Sequence, residues 1–311
     1  MNYETKFKQD LIKKLKDKNL TDSSIKLYLR QLELLNDDQP LKNLAFLSNV
    51  ENIVNKLSNY KANTKRIYLI AITSSLNVLD KPKLHKKYYD LMMEKSKEIN
   101  QNKNEASDTQ KENWLSWEQV INKFDELKEK VSTIKSKEIN QKDYNNLLQY
   151  LVLGLYTLQP PRRNADYQFM FIVPKEINDN SKNYLVLETQ EFKFNIYKTS
   201  KKYGEQIEKI NPELMNIIKL YIKYHPLIKN KISKNLNVPF LVYYDGKPFD
   251  KVNSITRILN SAFGQSIGSS MLRHIFLTDK YKKVLEEQKR DSMAMAHSTS
   301  QQKDYIKEIE L

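Results

Sequence analysis

Apolar residues recur at helical spacing through the first hundred positions. Phe7, Leu11 and Leu15 form one set, and Ile25, Tyr28, Leu29, Leu32 and Leu35 form the next, behind the capping candidates Thr21, Asp22 and Ser23. Val50, Ile53, Val54 and Leu57 predict a third helix, and Ile67, Ile70 and Ala71 a fourth that starts in the basic stretch Asn63-Thr64-Lys65-Arg66. Lys65 and Arg66 at a helix start can grip phosphates, although a solvated charged face is the commoner origin of such a stretch. Residues 1–98 are therefore expected to be a small helical domain. The segment from Ile99 to Asn113 is polar, aperiodic and without bulky apolar residues, and predicts a solvated linker over 99–113.

The second domain, 114–311, opens with Trp114-Leu115-Ser116-Trp117, where Ser116 is placed to cap a helix holding Val120, Ile121 and Phe124. The apolar run from Leu147 to Leu158 predicts a helix buried on most sides. The period then shortens: Tyr184 to Glu188 reads as a strand, and Phe192, Phe194 and Ile196 alternate with Lys193, Asn195 and Tyr197. A small antiparallel sheet is expected, followed by a Lys-rich turn and a helix behind Asn211 and Pro212. The fold class is mainly α (α+β), two domains, the second carrying the sheet.

Composition narrows the function. With Lys+Arg 52 against Asp+Glu 38, the formal charge is +14, which favours polyanionic partners and makes a nucleic acid, DNA or RNA, the first to consider. A Lys- and Asn-rich chain also arises from an AT-rich genome, and this composition hints at a mobile element or virus. The chain has no Cys, so disulfides, thiolate metal sites and Cys nucleophiles are excluded. His85, His225, His274 and His297 show no paired metal-ligand spacing, and no metal or other cofactor is expected. No stretch has signal-peptide or membrane-span character, so a soluble intracellular protein is expected.

Four separated segments of the second domain each supply a group suited to phosphoryl transfer. Pro160-Pro161-Arg162-Arg163-Asn164-Ala165-Asp166 makes a rigid corner that holds two guanidinium groups and suits bidentate phosphate contact. Lys198 lies in the Lys-rich turn with Lys201 and Lys202, as a flexible cation able to reach a groove and donate a proton. Gly268-Ser269-Ser270-Met271-Leu272-Arg273-His274-Ile275-Phe276 predicts a helix start with Ser270 and Arg273 on the face opposite Leu272, Ile275 and Phe276. Last, a Ser/Thr capping run follows His297 and begins a helix that presents Tyr305.

The order of these pieces, Arg, turn Lys, S-x-x-R-H, H-S and a late Tyr, resembles the tyrosine recombinase (integrase) family across nearly the whole chain. Leu20 to Tyr28 also looks like the opening helix of that family's N-terminal core-binding domain. The resemblance implies a metal-free and ATP-free site-specific recombinase. Tyr305 would be the nucleophile, Arg163 and Arg273 the phosphate clamps, His297 a further donor and Lys198 the proton donor. Arg163 takes the first position because Asp166 follows where the family has an acidic residue, and Arg162 is the competing choice. Ser270 stands where the family usually has His, and His274 is an alternative base or a buttress. The family also implies double-stranded DNA as the partner and assembly on it as a homo-oligomer, a tetramer. Only Ile306 to Leu311 follow the tyrosine, so subunit contacts are expected to be small or to use other surfaces. Two alternatives share these residues: a type IB topoisomerase-like enzyme that relaxes DNA, and a recombinase-derived protein that binds DNA without cutting it.

Overall fold

The computed structural model describes residues 5–101, 105–228, 236–251 and 253–306. The chain separates into two compact units, Met1–Ala106 and Ser107–Leu311.

The first unit is helical: α1 (Lys6–Asp17), α2 (Asp22–Leu35), α3 (Val50–Leu57), α4 (Ala62–Val78) and α5 (Pro82–Gln101), with a short 3₁₀ turn at Ala45–Ser48. Thr5 and Thr21 cap the first two helices by accepting from the backbone N–H of Lys8 and Ser24. Leu11, Leu15, Ile25, Leu29, Leu32, Leu35, Ile53 and Leu57 meet in one core with Leu69, Ile72 and Leu76 of α4. Val54, expected on the apolar face of α3, is instead 42% exposed, because only the side carrying Ile53 and Leu57 meets the core. The helix α5 goes beyond the sequence expectation. It buries one residue, Tyr88, whose hydroxyl donates to the Leu47 carbonyl at 2.8 Å.

The polar segment 99–113 is not irregular along its length. The last turn of α5 runs to Gln101, and α6 (Asp108–Glu112) begins the second unit. A capping box explains α6 without any apolar face, since Ser107 accepts from Gln110 N–H while the Gln110 side chain accepts from Ser107 N–H.

The second unit is built on α7 (Trp117–Ser132), capped by a box between Ser116 and Gln119, and α8 (Gln141–Thr157). Next come α9 (Asn164–Gln168), β1 (Phe171–Val173), β2 (Tyr184–Val186), β3 (Glu191–Phe194), α10 (Ser200–Tyr203), β4 (Gln206–Lys209) and α11 (Pro212–Tyr224). The remaining elements are β5 (Val238–Pro239), α12 (Ser254–Phe263), α13 (Ser269–Ala294) and α14 (Thr299–Tyr305). Every residue from Tyr150 to Tyr156 on α8 is buried, and α7, α11 and α12 pack around it. Gly154 lets α11 approach, because a Cβ there would sit 3.3 Å from Ile217 Cδ1.

The sheet has the order β4-β3-β2-β1-β5 and is mixed, not antiparallel: β1 and β2 run parallel, while the other neighbours are antiparallel. Local alternation reveals β2 and β3 but not β1, whose pairing with β2 spans a connection of irregular chain. Ile196 leaves the alternation of β3 and is 53% exposed. The cause is Asn183, whose Oδ1 accepts from both Asn195 N–H and Ile196 N–H and turns the chain out of the strand. Among the described residues no helix is long and apolar enough to cross a membrane.

Candidate functional site

The corner after α8 separates its two arginines. Arg162 turns inward: Nε donates to Asp166 Oδ2 at 3.1 Å, Nη1 to Glu208 at 2.6 Å and Gln206 at 3.0 Å, and the guanidinium lies 3.8 Å over the Phe194 ring. Asp166 is 2% exposed, and burial pushes its carboxyl above the usual carboxylate range while Arg162 pulls the other way. Arg162 thus fixes α9 to β3 and β4. Arg163 is the N-cap position of α9, and among the described residues its side chain has no carboxylate partner.

Behind the corner, Tyr156 Oη donates to Asn164 Oδ1 and Asn164 Nδ2 to Thr256 Oγ1, each at 3.0 Å. Tyr156 is fully buried, and burial lifts its phenol well above the ordinary range, so it remains a neutral donor. This chain of bonds ties α8, α9 and α12 together. Beside the corner lies a cavity of about 270 Å³ whose lining includes Arg162, Arg163, Asp166, Tyr197, Thr199, Tyr203 and Arg273. Arg273 enters from the second turn of α13, with Nε 3.4 Å from the Ser269 carbonyl. Leu272 and Ile275 bury the opposite side of that turn, which fixes the direction of Arg273.

Lys198 is exposed in the connection from β3 to β4, beside the cavity residues Tyr197 and Thr199. Lys201 and Lys202 are exposed on α10, with Lys202 Nζ 5.1 Å over the Tyr203 ring. Ser270 and His274 are exposed on the first two turns of α13. Lys65 and Arg66 sit at the start of α4 in the other unit, where Arg66 Nε donates to Ser96 Oγ at 2.9 Å.

His297 and Tyr305 form a second group. Their rings meet edge to face with centroids 5.5 Å apart. Nδ1 of His297 is buried without a hydrogen-bond partner among the described residues, whereas Tyr305 is 70% exposed. The turn between α13 and α14 is closed by His297 N–H to the Ser292 carbonyl and Ala296 N–H to the Met293 carbonyl. Ala296 adopts φ +55, the left-handed position that usually carries glycine after a helix. Ser292 Oγ also donates to Gln302 Oε1 at 2.8 Å, so α14 is anchored to the last turns of α13.

The structure therefore gathers the two free arginines at one end of α13 and places the His–Tyr pair at the other. Arg273 and Ser292 lie on the same continuous helix, and a rise of 1.5 Å per residue separates them by about 28 Å along its axis. Sequence order alone gave no sign of this separation. The bonds among Tyr156, Asn164 and Thr256 were also not legible, because these residues come together only through the packing of three helices.

Among the described residues no group of three or more His, Asp or Glu is placed to hold a metal ion. Residues 307–311 of the expected short tail lie outside the described residues. Compared with known proteins, the chain matches no protein-family model, no curated protein and no solved structure.

Proposed function

We propose that this protein cuts and rejoins DNA strands through a covalent bond to Tyr305, as a recombinase of the tyrosine type. The observation that supports it most is the cavity at the root of α13. There Arg163 and Arg273, from distant segments, share one opening, and the carboxylate of Asp166, which also lines it, is hydrogen-bonded to the neighbouring Arg162, which holds Glu208 as well. Two unpaired guanidiniums with a helix start beside them suit the non-bridging oxygens of a phosphodiester, and the +14 charge of the chain draws it to DNA.

In this reading Tyr305 Oη attacks phosphorus, the bond from phosphorus to the 5′ oxygen breaks, and Lys198 gives that oxygen its proton. The product is a 3′-phosphotyrosyl strand and a free 5′-hydroxyl. Attack by a 5′-hydroxyl of another strand reverses the step and releases the tyrosine without ATP. His297, already in contact with the Tyr305 ring, orients the phenol and donates to the phosphate. Ser270 cannot titrate, so the positive field of Arg163 and Arg273, or water, assists loss of the phenol proton. Lys65, Arg66, Lys201 and Lys202 hold the DNA backbone.

The decisive experiment uses a DNA duplex nicked beside the cleavage position, so that the cut strand's short end diffuses away and traps the intermediate. A covalent protein–DNA adduct that disappears in Tyr305→Phe is the expected result. DNA that shifts in a gel without any adduct would overturn the reading. That outcome would favour a binding-only protein, the second reading, which Ser270 in place of a titratable base supports. Relaxation of supercoiled DNA by a single copy would instead mark a topoisomerase.

A further inference from the structure

Resting on the reading of Arg163 and Arg273 as ligands of a DNA phosphate, we infer that Tyr203 receives the base of the same nucleotide, turned out of its stack and laid on the tyrosine ring. Tyr203 lines the cavity with both arginines, yet it is 58% exposed, and among the described residues its hydroxyl has no hydrogen-bond partner. Tyr197, which lines the same cavity, is already committed. Its ring lies 5.3 Å from the Arg162 guanidinium, and its hydroxyl donates to the Gly204 carbonyl at 2.8 Å. That bond also fixes Tyr203. Gly204 N–H donates to the Ser200 carbonyl at 2.8 Å and Tyr203 N–H to the Thr199 carbonyl at 3.2 Å, which closes α10 into one tight turn. Gly204 then leaves the turn at φ +69, a position that a side chain would strain. Two residues on, Gln206 of β4 accepts from Arg162 Nη1. Tyr203 is therefore held by the same frame that holds the arginine corner.

The ring, more than the hydroxyl, is what this cavity adds. Each guanidinium is a fork of several N–H donors, so Arg163 and Arg273 already suffice for both non-bridging oxygens of one phosphate. A phenol donor contributes little beyond them. With both arginines engaged on phosphate, the planar surface left at the opening is the Tyr203 ring. Aromatic rings stack on bases of any sequence, because every base has a π-face. Lys202, whose Nζ lies 5.1 Å over the ring, brings a cation for the neighbouring phosphate. At about 270 Å³ the cavity is small for a ligand site and suits a single nucleotide, not a base pair. Turning a base outward is easiest where its pair is weak, so the site favours DNA with a weak or mismatched pair beside the held phosphate.

The test titrates the full chain with two probes, thymidine 3′-monophosphate and methyl phosphate, a phosphate monoester without a base. The nucleotide should bind about tenfold more tightly. Tyr203→Leu should bring the nucleotide down to the affinity of methyl phosphate and leave methyl phosphate where it was, while Tyr203→Phe keeps the difference. Both variants should unfold as wild type does. Arg273→Ala should weaken both probes by about tenfold. Equal affinities in wild type, or a preference that survives in Tyr203→Leu, overturns the proposal. Loss of the preference in Tyr203→Phe also overturns it, since the hydroxyl would then be the acting group. Binding of neither probe overturns it together with the phosphate reading of the cavity. A chain that binds the nucleotide as expected but forms no covalent adduct on nicked DNA keeps the base site and loses the strand-transfer reading. As a second measurement, a duplex with one T·T mismatch should bind wild type about fivefold more tightly than the matched duplex, and Tyr203→Leu should bind the two alike. Equal binding of the two duplexes by wild type again overturns the proposal.

Discussion

The two ends of α13 are made differently. At its root the helix is embedded: Leu272 and Ile275 are buried, Arg273 opens on the cavity it shares with Arg163, and Arg162 of the same cavity is locked to a buried carboxylate. At its tip almost everything is in water, and α14 is held by Ser292, the closing turn at Ala296 and the ring contact of His297. A charged group placed against a rigid core needs little reorganisation when an anion arrives. A nucleophile on an exposed arm takes its position from what the arm meets. The root is therefore the preorganised half of the candidate site, and the tip is its exposed half.

The contrast is sharpest between adjacent residues. Arg162→Ala leaves Asp166 buried without its cation, and the second unit should lose about 3–5 kcal/mol, read by urea unfolding. Arg163→Ala removes no ion pair, so its unfolding free energy should stay within about 0.5 kcal/mol of wild type, while adduct formation falls by about 10²–10³. Equal stability losses in the two variants would erase the distinction between a structural and a reacting arginine.

Acid should weaken the domain that holds the root. His225 is fully buried, accepts from Leu227 N–H at Nδ1, and lies with Nε2 3.0 Å from the Pro239 carbonyl. Burial lowers it to about 4. Below its ordinary value near 6.5 the unfolded chain binds the proton first, so stability is full above that pH and falls as pH drops towards 4, by about 3 kcal/mol in total. Urea unfolding at pH 7 and pH 4.5 measures the decline, and His225→Phe should flatten it.

The smallest effect belongs to the tip. Ala296→Gly relieves the left-handed backbone at the α13–α14 turn and should stabilise that turn by about 1 kcal/mol, seen as slower amide exchange in α14 with global unfolding unchanged. A shift of the whole unfolding transition would mean that the tip is part of the folded core.

Local signals carried much of the fold. Ser116 with Gln119, Asn211 before Pro212, and the run on α8 each mark an element by chemistry confined to a few residues. The helix α5 hid because it buries only Tyr88 and its surface is rich in lysine. The strand β1 hid because its partners are β2 and β5, far along the chain. At the candidate site the residue types were legible but their distribution was not. Nothing near Arg162 or Arg163 in sequence says which one Glu208 and Gln206 will hold, since both arrive from β4. The length of α13 was equally hidden, because past Phe276 its apolar residues move to a different side from Leu272 and Ile275.

Because both halves of the candidate site share one uninterrupted rod, the number of residues between them is itself a coordinate. Deleting a single residue between Thr278 and Gln288 would draw the tip in by about 1.5 Å and swing it through about 100°. Removing seven would restore its facing to within about 20°, yet leave it about 10 Å short. An irregular stretch such as Asn195–Thr199 can absorb an inserted residue by bulging, whereas α13 converts each one into a fixed translation and a fixed turn.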